Sequence, residues 1–185
     1  MLENVYDRLL PYAKSKYILM GIGVIFLFNV VFLPQFPKLV AGVELPVEEI
    51  IDVKFSYSPQ EAYDVIEAFS ADQRAAYWKS ELFVDNTYAL VYGITYTLLL
   101  IFLFSRAFAG NRFLQKVALL PLLATFADWV ENACIINMVL IFPERNDSLM
   151  GMSSMFTSMK WILAGIMIGL IMVSGAKMMM NRGQN

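Results

Sequence analysis

The run from Val117 to Phe142 constrains the fold of this chain more than any other stretch: 26 residues of almost unbroken apolar character. As one helix rising 1.5 Å per residue, it is long enough to cross a bilayer core of about 30 Å. Near its centre, in Ala-Thr-Phe-Ala-Asp-Trp-Val-Glu-Asn (124–132), stand Asp128, Glu131 and Asn132. An ionisable group at that depth costs about 2.5 to 3.5 kcal/mol on insertion scales, so these side chains should face a protein interior or a watery cavity and have partners there. Their i, i+3, i+4 spacing puts all three on one helix face.

Three further apolar runs share this character: Tyr17 to Leu33, ended by Pro34; Leu82 to Phe104; and Met155 to Met180. The chain is 58% hydrophobic and 16% charged, which excludes an ordinary soluble domain. The pattern predicts an all-α, four-transmembrane-helix bundle with spans at about 17–34, 82–104, 117–142 and 155–180. With no internal repeat or low-complexity linker, 1–185 reads as a single integral membrane domain. A cleaved signal peptide competes for the first run, but the long preceding segment with Glu3 and Asp7 and the lack of a small-x-small cleavage site argue against it.

Between the first two runs lies a polar section, 35–81, holding nine acids against Lys38, Lys54, Arg74 and Lys79. Val53, Phe55 and Tyr57 alternate with polar residues, which suggests a short extended piece. Two helix starts follow. Ser58-Pro59-Gln60-Glu61 is a capping box with proline at the first helical position, and Ser70-Ala71-Asp72-Gln73 repeats the logic with glutamine. The expectation is a partly helical outer loop: a short helix from Pro59 to about Ala68, then a long one running from Ala71 into the second span. On that helix Arg74, Trp78, Glu81, Asp85, Tyr88 and Tyr92 recur at spacings of four and three, one stripe that enters the membrane at Asp85.

The short segments on one side of a four-span chain carry Arg8, Lys14 and Lys16; Arg106, Arg112 and Lys116; and Lys177 and Arg182. The positive-inside rule then places both termini in the cytoplasm and the 35–81 loop outside, as for a multi-pass protein of a bacterial inner membrane. In that orientation Asp85, Lys160, Asp128 and Glu131 all fall in the outer half of the bundle or at its midplane. Three acids face Lys160, or Lys160 and Arg74 if the latter folds over the site, so at least one negative charge is unmatched. Such a charge takes up a proton or holds a cation. Tyr77, Tyr88, Tyr92 and Asn132 are the available hydrogen-bonding neighbours.

Other chemistries drop out. The chain has no histidine and one cysteine, Cys134, which removes the usual zinc and copper ligand sets, His-based triads and any internal disulfide. A net charge of -2 gives no basic face for nucleic acid. No phosphate-binding glycine loop is present, and no cofactor or metal is expected.

The leading expectation is a membrane protein whose outward-facing acidic pocket binds a small amphipathic or cationic ligand, with Asp128 and Glu131 as anchors and Asp85 and Lys160 as gate or counter-ion pair. Two other classes stand beside it. One is a membrane enzyme acting on a lipid, with protonated Glu131 as general acid and Lys160 or Tyr88 assisting. The other is a subunit of a homo-oligomer or of a larger membrane complex, docking through Gly165-x-x-x-Gly169, with the acids serving only as interhelical glue. Asn137 reads as a lone interhelical hydrogen bond.

Taken together, Tyr57-Ser58-Pro59-x-x-Ala62-Tyr63, Arg74-x-x-Tyr77, Asp128-x-x-Glu131-Asn132 and Lys160-Trp161 resemble a group of small four-helix bacterial membrane proteins. That resemblance covers most of the chain and implies a fold without an activity. Trp78-Lys79-Ser80-x-Leu82-Phe83-x-Asp85 is similar to the start of the acidic second span in the emopamil-binding and sigma-2-receptor superfamily, which implies binding of sterols or cationic amphiphiles through buried acids. The chain departs from that pattern in lacking histidine and an acid in its first span.

Overall fold

A computed structural model of the chain describes residues 2–46, 50–108 and 111–182. Glu48 and Glu49, counted above among the loop acids, lie outside them. Seven helices are described: α1 (Leu2–Leu9), α2 (Ser15–Ala41), α3 (Pro59–Ala68), α4 (Ala71–Ala107), α5 (Arg112–Val117), α6 (Leu120–Ile141) and α7 (Asp147–Arg182). Four of them, α2, α4, α6 and α7, are long and apolar enough to cross a membrane, and the chain is read as a multi-pass membrane protein.

Both capping boxes form. The Ser58 hydroxyl accepts from the Glu61 N–H at 3.2 Å while the Glu61 carboxylate accepts from the Ser58 N–H at 2.7 Å, and Ser70 and Gln73 exchange the same pair of bonds at 3.2 and 2.9 Å. Helix α4 then runs from the second cap to Ala107 without leaving helical geometry, one π-helical turn included. The first span differs from expectation. Pro34 does not end it: a wide π-helical turn at Phe28–Phe32 precedes the proline, and α2 continues to Ala41. Such a turn loosens the backbone where a proline ring would otherwise meet the carbonyl of the preceding turn. The helix stops instead at Gly42, whose φ of 67° is the left-handed geometry that glycine adopts most readily, with its N–H on the Lys38 carbonyl at 2.9 Å.

The expected extended piece at Val53–Tyr57 is also absent, and no strand occurs among the described residues. Its alternation has another cause. Val53 and Phe55 face outward, whereas Tyr57 turns in, its N–H donating to the Ser154 hydroxyl at 2.9 Å and its own hydroxyl donating to Ser153 at 2.7 Å.

Helices α6 and α7 form the closest pair, and α4 packs on both; α2 lies along α4 and makes no substantial contact with α7. Close approach is set by glycines the sequence did not single out. A Cβ on Gly93 would fall 2.0 Å from Thr125 Oγ1, and one on Gly21 2.3 Å from Thr95 Oγ1. Gly165 and Gly169, expected to mediate tight contact, have nothing within 4 Å. Two apolar clusters hold the ends of the bundle. One joins Tyr57, Tyr63, Ile66 and Phe69 of the loop region to Ile135, Met138 and Met150; the other joins Tyr6 and Ile18 to Leu100, Ile101 and Phe104. The polar residues of α4, α6 and α7 fall between them.

Candidate functional site

Asp128 and Glu131 share the face of α6 that meets Lys160 of α7. The Lys160 ammonium lies 2.9 Å from Asp128 Oδ1 and 2.8 Å from Glu131 Oε2, and 3.4 Å from the Asp52 carbonyl. Glu131 is fully buried, and its other oxygen accepts from the Thr157 hydroxyl at 2.7 Å. Asp128 accepts from the Tyr92 hydroxyl at 2.9 Å. One turn along α6, the Asn132 amide donates to Asp85 at 2.8 Å. Eight of the residues singled out by sequence are thus brought together: Asp85, Tyr92, Asp128, Glu131, Asn132 and Lys160 by these contacts, and Tyr77 and Tyr88 through the adjoining cavity that both line.

Beside them is a cavity of about 570 Å³. Its polar wall comprises Asp52, Tyr77, Ser80, Glu81, Asp85, Tyr88, Tyr92, Asp128 and Lys160. Its apolar wall comes from Leu33, Pro34 and Pro37 of α2 and from Trp161, Ala164 and Met167 of α7. Asn29 of α2 borders it as well, donating to the Tyr88 hydroxyl at 3.1 Å and to the Ile25 carbonyl at 2.8 Å. Glu131 is not on the wall; it stands behind Lys160.

Arg74 does not join the site. Its guanidinium donates to the carbonyls of Ile66, at 3.2 Å, and Phe69, closing the C-terminal end of α3, and lies over the Phe142 ring at 4.6 Å. Trp78 likewise packs into the apolar cluster at the loop end. The reason is local: a second π-helical turn, Ser80–Asp85, interrupts α4. It inserts extra residues per turn, so the stripe that borders the cavity is Tyr77, Glu81, Asp85, Tyr88, Tyr92 and Tyr96, not the one that starts from Arg74. Asn137 faces outward, with no hydrogen bond among the described residues.

Two acids of the site escaped the sequence reading. Glu81 lies on the sequence stripe, where nothing but its spacing marks it out; it is 3% exposed, and its Oε2 meets no donor among the described residues. Asp52 had no signal at all, because only the folding of the loop over the bundle brings it to the cavity, where its Oδ1 lies 3.5 Å from the Tyr77 hydroxyl. Burial pushes the Asp52 carboxyl above its ordinary range, Lys160 pulls it back and Asp128 pushes it up again.

No protein-family model, curated protein or solved structure matches this chain. The site therefore rests on its own chemistry. Five carboxyls, Asp52, Glu81, Asp85, Asp128 and Glu131, surround one ammonium, and no group of acids has the arrangement of a metal site among the described residues. Protons, or a cation from outside the chain, make up the difference.

Proposed function

We propose that this membrane protein binds a small amphipathic ligand carrying a positive charge in the cavity between its spans. The observation that carries the reading is the composition of the cavity lining: four carboxyls and one ammonium together with proline, tryptophan and methionine side chains. A volume of about 570 Å³ matches sites for drug-sized molecules. The distribution of charge shifts the anchor from the residues first expected. Lys160 is already paired with Asp128 and Glu131, one positive charge shared by two carboxyls, so an incoming cation finds its open carboxyls at Asp52, Glu81 and Asp85. Glu131, with both oxygens engaged and no share of the wall, is poorly placed as the general acid of a lipid-modifying enzyme.

The positive-inside count supports an orientation with the termini in the cytoplasm and the 42–70 region outside, which would open the acidic end of the cavity toward the exterior. The test of function is thermal unfolding in nanodiscs with a long-chain amine, the neutral alcohol of the same chain and the corresponding sulfate. A ligand at 100 times its Kd stabilises by about 2.7 kcal/mol. The amine is expected to raise the Tm of the wild type, the alcohol and sulfate to leave it, and Asp85→Asn to reduce the response. No response to the amine, with a second membrane protein co-purifying, would move the reading to an assembly subunit docked on the uncovered Gly165–Gly169 face.

A further inference from the structure

Two buried acceptors in the site have no donor: Glu81 Oε2 and Asn132 Oδ1. Glu81 borders the cavity and is 3% exposed, so the cavity is where a donor from outside the chain could reach this side chain. Its neighbours on the same wall are similarly short of donors. Asp52 is approached by its own backbone N–H and by the Tyr77 hydroxyl, the latter at the long limit of 3.5 Å, and Asp85 by the Asn132 amide at 2.8 Å. Lys160 makes its ion pairs with Asp128 and Glu131, and among the described residues none joins it to these three.

We propose that Glu81, Asp52 and Asp85 form a subsite for an ammonium that still carries N–H bonds, a protonated primary or secondary amine, and that it discriminates against quaternary ammonium. The inference rests on the reading that the cavity takes a cationic amphiphile, and it names which kind. Charge alone would draw either cation. A primary ammonium brings three donors to a wall of unpaired acceptors, whereas a trimethylammonium brings none and leaves Glu81 Oε2 buried without a partner. Quaternary cations are recognised instead by open aromatic faces. Three rings of the cavity are engaged with other rings, Tyr88 and Tyr92 edge to face at 5.5 Å and Tyr77 with Phe69 in the same way at 5.8 Å, which leaves Tyr96 and Trp161 as its remaining aromatic surface.

The test compares dodecylamine with dodecyltrimethylammonium, two cations with one chain, titrated against the full-length protein in nanodiscs. The amine is expected to bind about tenfold or more tightly, the usual margin of a charge-assisted hydrogen bond. Glu81→Gln should bring the two within about twofold of each other. Equal or tighter binding of the trimethyl compound overturns the selection for N–H donors and leaves the cation-binding reading standing. Binding of neither overturns both. Should Glu81→Gln fail to fold, the wild-type ratio decides the matter alone, with Asp85→Asn as the second variant expected to narrow it.

Discussion

Asp52 is the only carboxyl of the cluster carried outside a spanning helix, and its titration leaves a mark on stability whose sign follows from its burial. Its folded pKa is raised above the ordinary 3.8, chiefly by loss of solvent. Below that value the folded and unfolded chains are both protonated there, and Asp52 contributes no pH dependence. As pH rises, the unfolded chain releases its proton first while the folded chain keeps it, so stability falls until the folded pKa is passed and then levels off. In ligand-free protein, Asp52→Asn should flatten the decline in Tm from about pH 4 upward, measured as a series of melts in buffers of matched ionic strength. Parallel curves for variant and wild type would place the cost on the carboxyls of the spans. Lys160 makes the complementary point. A buried ion pair repays its desolvation only when its geometry is good, so the contacts at 2.9 and 2.8 Å fix the register of α6 against α7 more than they add stability.

At the scale of elements, the bundle is set by where helices can approach. The hydroxyl of Thr125 donates to the Ala89 carbonyl at 2.8 Å, across the gap that Gly93 leaves open. Gly93→Ala puts a methyl into that hydroxyl and should destabilise by about 1 to 3 kcal/mol, the usual cost of overpacking. Gly165→Ala and Gly169→Ala, with open space beyond them, should change stability by no more than about 0.5 kcal/mol. Ranking the three by thermal melts in one detergent tests the assignment; a large loss at Gly169 would reveal a contact made by another chain. The contrast shows what was legible beforehand. Ser58 and Ser70 announced two helix starts because a cap is a local signal, and Asp128, Glu131 and Asn132 announced a shared face because α6 is regular there. The wide turns at Phe28–Phe32 and Ser80–Asp85 break the 3.6-residue period on which such arguments depend. They hid both the continuation of α2 past Pro34 and the fact that the stripe along the cavity starts from Tyr77 and not from Arg74 and Trp78. Asp52 and Gly93 were illegible for a different reason: each matters through a neighbour distant in sequence.

For the molecule as a whole, orientation is open to a direct check, because Cys134 is buried and should stay silent toward polar reagents. Asp64→Cys on α3 should react with a membrane-impermeant maleimide in intact cells, and Lys14→Cys only after permeabilisation; the reverse pattern would invert the bundle. The layout of charge also has a consequence for how the protein is made. Asp85, Asp128 and Glu131 all precede Lys160, among the described residues the one cation paired with the cluster, which follows Asp85 by about 75 residues, or roughly 4 to 15 seconds at ribosomal speeds of about 5 to 20 residues per second. During that interval the second and third spans carry their acids toward the lipid with no counter-charge yet synthesised. The fourth span is the clasp: until the ribosome delivers it, the polar interior of this protein has a wall of acids and nothing to close it.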